Sequence, residues 1–308
     1  MILPTFRTAF SSIERLFLSH LLQKNEELRN RHAGQKALLF ATGASLVGMD
    51  LGRFNRHVTI GCNYIFRHPS FSSMDLNYFV AGVPFRRWRQ LSPRFTHEDH
   101  HRWFLSVNEA FHDRDTVHFY HATIRRYLEK RSLLANRSCY YFLRKGSLEG
   151  AKTQAVDLAE PITFADGGLL LMVALAIFMG CKEIYLFGCG YSYAPVQKFH
   201  FYDCMRYLPG LSESELNAAK STFQLSHPET NFMNVDTTIR SLGGGELMMD
   251  YSWDPVKHGA ENFYSTHRLV RSFAESIGVR IVNVVPPGYS SPVYESITEE
   301  EYCELESS

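Results

Sequence analysis

Short apolar runs that stop abruptly on small or polar residues recur along the chain. Lys36 to Leu46 (KALLFATGASL) carries an apolar stretch into Thr-Gly-Ala-Ser, and His57 to Phe66 (HVTIGCNYIF) and Leu76 to Gly82 (LNYFVAG) repeat the form. RWFLSV, SCYYFLR, EIYLFGCG and VRIVNVVPPG are four further runs of the same kind. Runs this short, rich in β-branched and aromatic residues, predict buried strands. Helical spacing lies between some of them, at Leu169 to Phe178 and at His267 to Ile277, the latter closing on Gly278 as a C-terminal cap. From about Phe10 to Leu28, the residues Ile13, Leu16, Phe17, Leu21 and Leu28 alternate with charges in the pattern of an amphipathic helix.

The most apolar segment, Phe164 to Tyr193, could be mistaken for a membrane span. Gly180 divides it, and Lys182 and Glu183 interrupt it, so it reads as a helix, a turn and a buried strand. Strands alternating with helices imply an α/β fold with a Rossmann-like, doubly wound and mostly parallel sheet. Ligands of such sheets bind beyond the carboxyl ends of the strands. That directs attention to Thr42 to Ser45, Cys62 to Tyr64, Ala81 to Gly82 and Cys189 to Tyr193. The expected organisation is an N-terminal helix over 1–34, a Rossmann-like core over 35–290 and a tail over 291–308. Irregular insertions at about 86–149 and 195–253 would form a small lobe and a lid.

Composition narrows the function classes. The 308 residues are 45% hydrophobic and 14% aromatic, ample for a core. Lys+Arg and Asp+Glu balance at 32 each, so no global field recruits nucleic acid or an anionic membrane. Cys62, Cys139, Cys181, Cys189, Cys204 and Cys303 form no C-x-x-C pair and read as reduced core residues of a cytoplasmic protein. No basic start, apolar middle and small-residue cleavage site marks a secretory signal. The N-terminal helix is expected to pack on the core. Peripheral attachment at the inner membrane face and homo-oligomerisation are its other uses.

At the strand ends, Thr42-Gly43-Ala44-Ser45 offers backbone N–H groups and a hydroxyl to a phosphate, or else a turn that needs glycine for its geometry alone. Asn63 suits a ribose or base, or a stabilised turn. Asp166-Gly167-Gly168 opens a helix, with Asp166 as N-cap and room for an anion at the helix N-terminus. Tyr191, Tyr193, His200 and Tyr202 follow the next strand closely and are groups able to bind or protonate a leaving phosphate. No G-x-S-x-G elbow, H-E-x-x-H zinc motif or dinucleotide fingerprint occurs.

TGASL, GCN, FVAG and ALAIFMGCKEIYLFGCGYSY followed by HFYD resemble the core of the bacterial family 42 sialyltransferases. They resemble equally the related motility accessory factors, polysaccharide-locus proteins and archaeal 6-hydroxymethylpterin pyrophosphokinases. The resemblance spans about 35–82 and 160–290. It implies a metal-independent, inverting glycosyltransferase acting on a CMP-linked acidic sugar and a glycan acceptor, in polysaccharide biosynthesis. Under it Gly43 and Ser45 match a turn that holds the nucleotide, and Asn63 an asparagine that contacts the cytidine nucleotide. Tyr191 and Tyr193 lie near two phosphate-stabilising tyrosines, with Tyr202 a rival for the second. His258 lies near a general-base histidine, with His267 its competitor. Thr42, Asp166 and Gly167 join the nucleotide set, and His200 and Trp253 the substrate set. No cofactor or metal is implied beyond the nucleotide-sugar donor.

The chain departs from that pattern in three places. Thr42-Gly43-Ala44 replaces Asn-Gly-Pro, PITFADGG lacks an arginine before the small-residue turn, and Cys189-Gly190 replaces an acidic residue after the strand. The alternatives are an ATP/Mg-dependent diphosphokinase-like transferase and a noncatalytic sugar-binding or scaffold protein. HEDHH (His97 to His101) reads as a solvated loop rather than a metal site. FRRWRQ (Phe85 to Gln90) reads as a salt-bridging surface rather than a nucleic-acid contact.

Overall fold

The computed structural model describes residues 18–46, 49–81, 97–144, 156–163, 167–189, 260–285, 287, 291 and 293–307. Its strands are β1 (Lys36–Phe40), β2 (Val58–Cys62), β3 (Tyr78–Ala81), β4 (Val117–His121), β5 (Cys139–Phe142), β6 (Glu183–Phe187), β7 (Arg280–Val285) and β8 (Glu295–Thr298). They join in one sheet of order β5-β4-β3-β2-β1-β6-β7-β8. Every pairing is parallel. The chain moves outward from β1 through β5, then restarts on the other flank of β1 with β6, so the order reverses between β1 and β6. Beside these strands lie α1 (His97–Ala110), α2 (Arg125–Lys130), α3 (Gly168–Phe178), α4 (Ala260–Ser276) and α5 (Glu299–Ser307).

A parallel sheet is covered on both faces, which is why its strands read as continuous apolar runs. Ala37 and Leu39 of β1 point to one side and pack with α3 and with Val270 and Ala274 of α4. Leu38 and Phe40 point to the other and pack with Trp103, Phe104 and Val107 of α1 and Tyr302 of α5. Helix α3 is buried around almost its whole circumference, from Leu170 to Ala176 and again at Phe178. Its uniform apolarity is that of a central helix, and each buried leucine contributes about 2 kcal/mol. Among the described residues no helix is long and apolar enough to cross a membrane.

Three expectations change. RWFLSV is not a strand, and HEDHH is not a loop. Both lie in α1, whose buried residues Trp103, Phe104 and Val107, followed by Phe111, have helical spacing while Leu105 faces solvent. Local β-rich composition had concealed that period. The span 86–149 does not stand apart as a lobe, since β4 and β5 extend the main sheet. Strand β4 escapes the apolar pattern because His118 and His121 sit within it, although both are buried. In the span 291–308, β8 pairs with β7 and α5 packs Tyr302 beneath Tyr185 and Phe187. Residues 18–28 are helical, as the amphipathic pattern predicts, and Leu22 and Leu28 are buried.

Ion pairs fasten the amino edge of the sheet. Glu306 of α5 takes Lys36 Nζ at 2.7 Å and also contacts His57, just before β2. Arg280 and Glu295, which open β7 and β8, meet at 2.5 Å. The Arg114 guanidinium donates to the carbonyls of Phe71 and Met74 at 2.6 Å each.

Candidate functional site

The reversal between β1 and β6 opens a crevice at their carboxyl ends, the place where doubly wound sheets bind ligands. Pairing continues past both strands: Ala41 N–H donates to Phe187 O and Gly43 N–H to Gly188 O, each at 2.9 Å. A Cβ on Gly43 would stand 2.1 Å from Gly188 O, so only glycine lets the two backbones meet. Of the two roles read for Gly43, the structure displays the geometric one, and its N–H is engaged by Gly188 rather than open to a phosphate. Beyond it, Ala44–Leu46 forms a single 3-10 turn. Thr42 is buried, and the Ser45 hydroxyl is buried without a hydrogen-bond partner.

Helix α3 brings its N-terminus to this edge. Gly167, rather than the expected Asp166, is its N-cap, and among the described residues no side chain caps the first N–H groups of α3, which carry the positive end of the helix dipole. A methyl group on Gly168 would lie 3.2 Å from Asn63 Nδ2 and 3.1 Å from Cys62 Sγ, which places the side chain of Asn63 against the helix start. Asn63 itself takes φ 52°, a conformation asparagine tolerates, and its N–H donates to Val80 O at 3.1 Å.

Sequence reasoning missed Asn283. It sits in β7 among apolar neighbours, is fully buried, and donates from Nδ2 to Cys189 O at 2.9 Å, while its Oδ1 has no partner. That hydrogen bond holds the chain where it leaves β6. The signal was the lone asparagine inside VRIVNVV, an unlikely occupant of a core strand unless it works there.

The thiols at the same edge are inert. Burial pushes Cys62 up to about 12, and burial with the neighbouring Cys62 raises Cys189 well above the usual thiol value. The described cysteines Cys62, Cys139, Cys181, Cys189 and Cys303 are all free. His267, weighed against His258, is a core residue of α4. It is buried, its Nδ1 lies 3.0 Å from Tyr294 Oη, and burial pushes it down to about 3. Among the described residues no cluster of histidine, cysteine or carboxylate side chains could hold a metal ion.

Thr42, Gly43, Ser45, Asn63 and Gly167 therefore gather at the carboxyl edge around β1, β2 and α3. Asp166, Tyr191, Tyr193, His200, Tyr202, Trp253 and His258 lie outside the described residues. No family model matches the chain, and no curated protein matches it. Among solved structures it is similar to the sialyltransferase CstII from Campylobacter jejuni, whose structure was determined in complex with a substrate analogue, cytidine-5'-monophosphate. The two share 11% identity over 89% of this chain and 98% of that one, with a TM-score of 0.35. No residue role is carried over from that structure.

Proposed function

We propose that the chain is a glycosyltransferase that moves an acidic sugar from a CMP-sugar to a glycan acceptor with inversion and without a metal. The observation that supports this reading is the rim at the strand-order reversal. A helix N-terminus whose N-cap is a glycine, the Asn63 amide beside it, and the unengaged Ser45 hydroxyl stand there together. A helix start favours a phosphate, and an amide with a hydroxyl suits a ribose and base. The CMP-sugar itself comes from the sequence resemblance.

In this reading the acceptor oxygen attacks the anomeric carbon as the bond to the CMP phosphate breaks, and His258 takes the hydroxyl proton. Tyr191 and Tyr193, or Tyr202 in place of the second, stabilise the departing phosphate. Asp166 and Gly167 border the nucleotide with Thr42, Ser45 and Asn63, while His200 and Trp253 face the sugars. Gly43 contributes close backbone approach, its N–H being given to Gly188 O rather than to the phosphate.

Thermal denaturation with CMP, CDP, UDP, ADP and ATP, each with and without magnesium, tests the proposal, because a ligand bound only to the folded state raises its Tm. Stabilisation by CMP without metal is expected, and Asn63→Ala abolishes it. Stabilisation by ATP only with magnesium would replace the proposal with a diphosphokinase, and no response to any nucleotide would leave a binding or scaffold protein.

A further inference from the structure

The turn that follows Asn63 carries an arginine at the carboxyl rim. Ile65–Arg67 forms a 3-10 turn with Tyr64 as N-cap, and Arg67 N–H donates to Tyr64 O at 2.9 Å. Three residues apart in such a turn, Tyr64 and Arg67 lie on one face. The guanidinium stands over the Tyr64 ring at 5.3 Å and over the Phe66 ring at 6.0 Å. Those rings are themselves held, Tyr64 meeting Phe66 at 5.8 Å and each packing edge-on to Trp103 of α1. The turn is also tied to the exit of β1. His68, the next residue, accepts the Ser70 N–H at Nδ1 and meets Leu46 O with Nε2 at 3.0 Å. Leu46 closes the loop that begins at Thr42, and its side chain packs by Gly188 at the exit of β6. Arg67 therefore belongs to the same rim as Asn63, Ser45 and the α3 N-terminus.

What Arg67 lacks is an acid. Arg114, Arg125 and Arg137 are half-buried like it, and each directs N–H groups at a carbonyl or a carboxylate. Among the described residues Arg67 has ring contacts alone. Arg31, Arg56, Arg126 and Arg131 also have no acid partner, but they are exposed, where water serves them. Stacking on an aromatic face fixes the guanidinium plane and leaves the N–H donors around its edge unused. A guanidinium partly withdrawn from water, held flat and without a counter-ion, is arranged to receive one. The positive end of the α3 dipole has the same sign, so both features of this rim attract an anion.

We propose that Arg67 binds an oxyanion of the donor, its phosphate or the carboxylate of its sugar, through paired N–H bonds from the edge of the stacked guanidinium. The word donor rests on the transferase reading. The preference for an oxyanion stands on the ring stack and the missing acid alone.

NMR of the 15N-labelled full chain tests the oxyanion site directly. The Nε–H signals of Arg67, Arg56 and Arg126, each assigned by its absence in Arg67→Gln, Arg56→Gln or Arg126→Gln, are followed with inorganic phosphate, acetate and glucose. Phosphate or acetate shifts Arg67 at concentrations that leave Arg56 and Arg126 in place, and glucose does not. An Arg67 signal that moves no more than those two, or that glucose moves equally, overturns the proposal whatever nucleotide the chain binds. Affinities for cytidine, CMP and CMP-N-acetylneuraminate then separate the two sources. If the anion is the phosphate, Arg67→Gln weakens CMP by about tenfold or more and leaves cytidine unchanged. If it is the carboxylate, CMP is unchanged and CMP-N-acetylneuraminate alone is weakened. Arg67→Lys, which keeps the charge but not the flat pair of donors, recovers part of the loss. Equal weakening of all three ligands would make Arg67 a support of the pocket and overturn its role toward an anion, as would unchanged binding of all three. A chain that binds none of the three, while phosphate or acetate still shifts Arg67, retains the site and overturns the transferase reading instead.

Discussion

The two edges of the sheet are built from the same strands and finished in opposite ways. At the amino edge charged side chains meet: Lys36 and His57 on Glu306, Arg280 on Glu295, and Arg114 on three carbonyls. At the carboxyl edge Ser45 Oγ has no partner, and Asn283 donates from Nδ2 to Cys189 O while its Oδ1 stays open. The first pattern fastens elements that end there. Buried donors and acceptors left open cost stability, a cost that the proposed nucleotide would offset at Ser45.

The sharpest challenge to that division is Gly43, a residue of the carboxyl edge whose visible role is structural. Gly43→Ala drives a methyl group to 2.1 Å from Gly188 O, and β1 must part from β6. The expected loss is about 3 kcal/mol or more, read in chemical or thermal denaturation. A Gly43→Ala protein that folds with wild-type Tm would mean that the edges do not meet as described.

Acid acts on both edges. His118 and His267 are pushed down by burial to about 3 and His121 to about 4. Unfolded, each binds a proton near its ordinary value, so between about pH 6.5 and the depressed value the unfolded state holds the extra proton. Stability is therefore full above that window and falls as pH drops through it, on the order of 1.4 kcal/mol per pH unit for each group. At Glu306 burial raises the carboxyl, but the Lys36 and His57 contacts outweigh it and hold it below its ordinary value, so its share is also lost as pH falls. Denaturation midpoints across pH 7 to 4 measure the slope. His118→Phe, which leaves a ring among Phe79, Phe111 and Tyr120, flattens it.

Glu306→Gln probes the amino edge alone. It removes the charge that Lys36 and His57 share, destabilises by about 1 kcal/mol, and leaves nucleotide binding unchanged. Ser45→Ala is its counterpart and has the smallest effect on stability. Removing a buried hydroxyl that has no partner leaves Tm unchanged or slightly raised, while the nucleotide-induced shift weakens. If Glu306→Gln impairs binding, or Ser45→Ala destabilises without touching it, the division between the edges fails.

Much of the fold was legible because burial on both faces writes strands as plain apolar runs. Lys36–Phe40, Val58–Cys62, Tyr78–Ala81, Cys139–Phe142, Glu183–Phe187 and Arg280–Val285 all fall within such runs, and the helical patterns mark α3 and the later part of α4, which begins at Ala260 rather than His267. Where a strand contained histidines, as β4 does, or a helix opened on HEDHH, as α1 does, polarity hid the element. Of the candidate site, Thr42, Ser45, Asn63 and Gly167 could be placed at the carboxyl edge because strand ends are predictable from sequence. Asn283 could not, since its burial and its open Oδ1 exist only once distant strands pair.

By itself, then, the sequence determined an α/β chain of buried parallel strands with small and polar residues at their carboxyl ends, because hydrophobic period and turn chemistry are local. Only the tertiary structure decided that β6 returns to the far side of β1, that the N–H of Gly43 is engaged by Gly188, and that Asn283 donates to the carbonyl of Cys189. Those outcomes depend on which backbone and side-chain groups meet across the sheet, and no spacing along the chain encodes such a meeting.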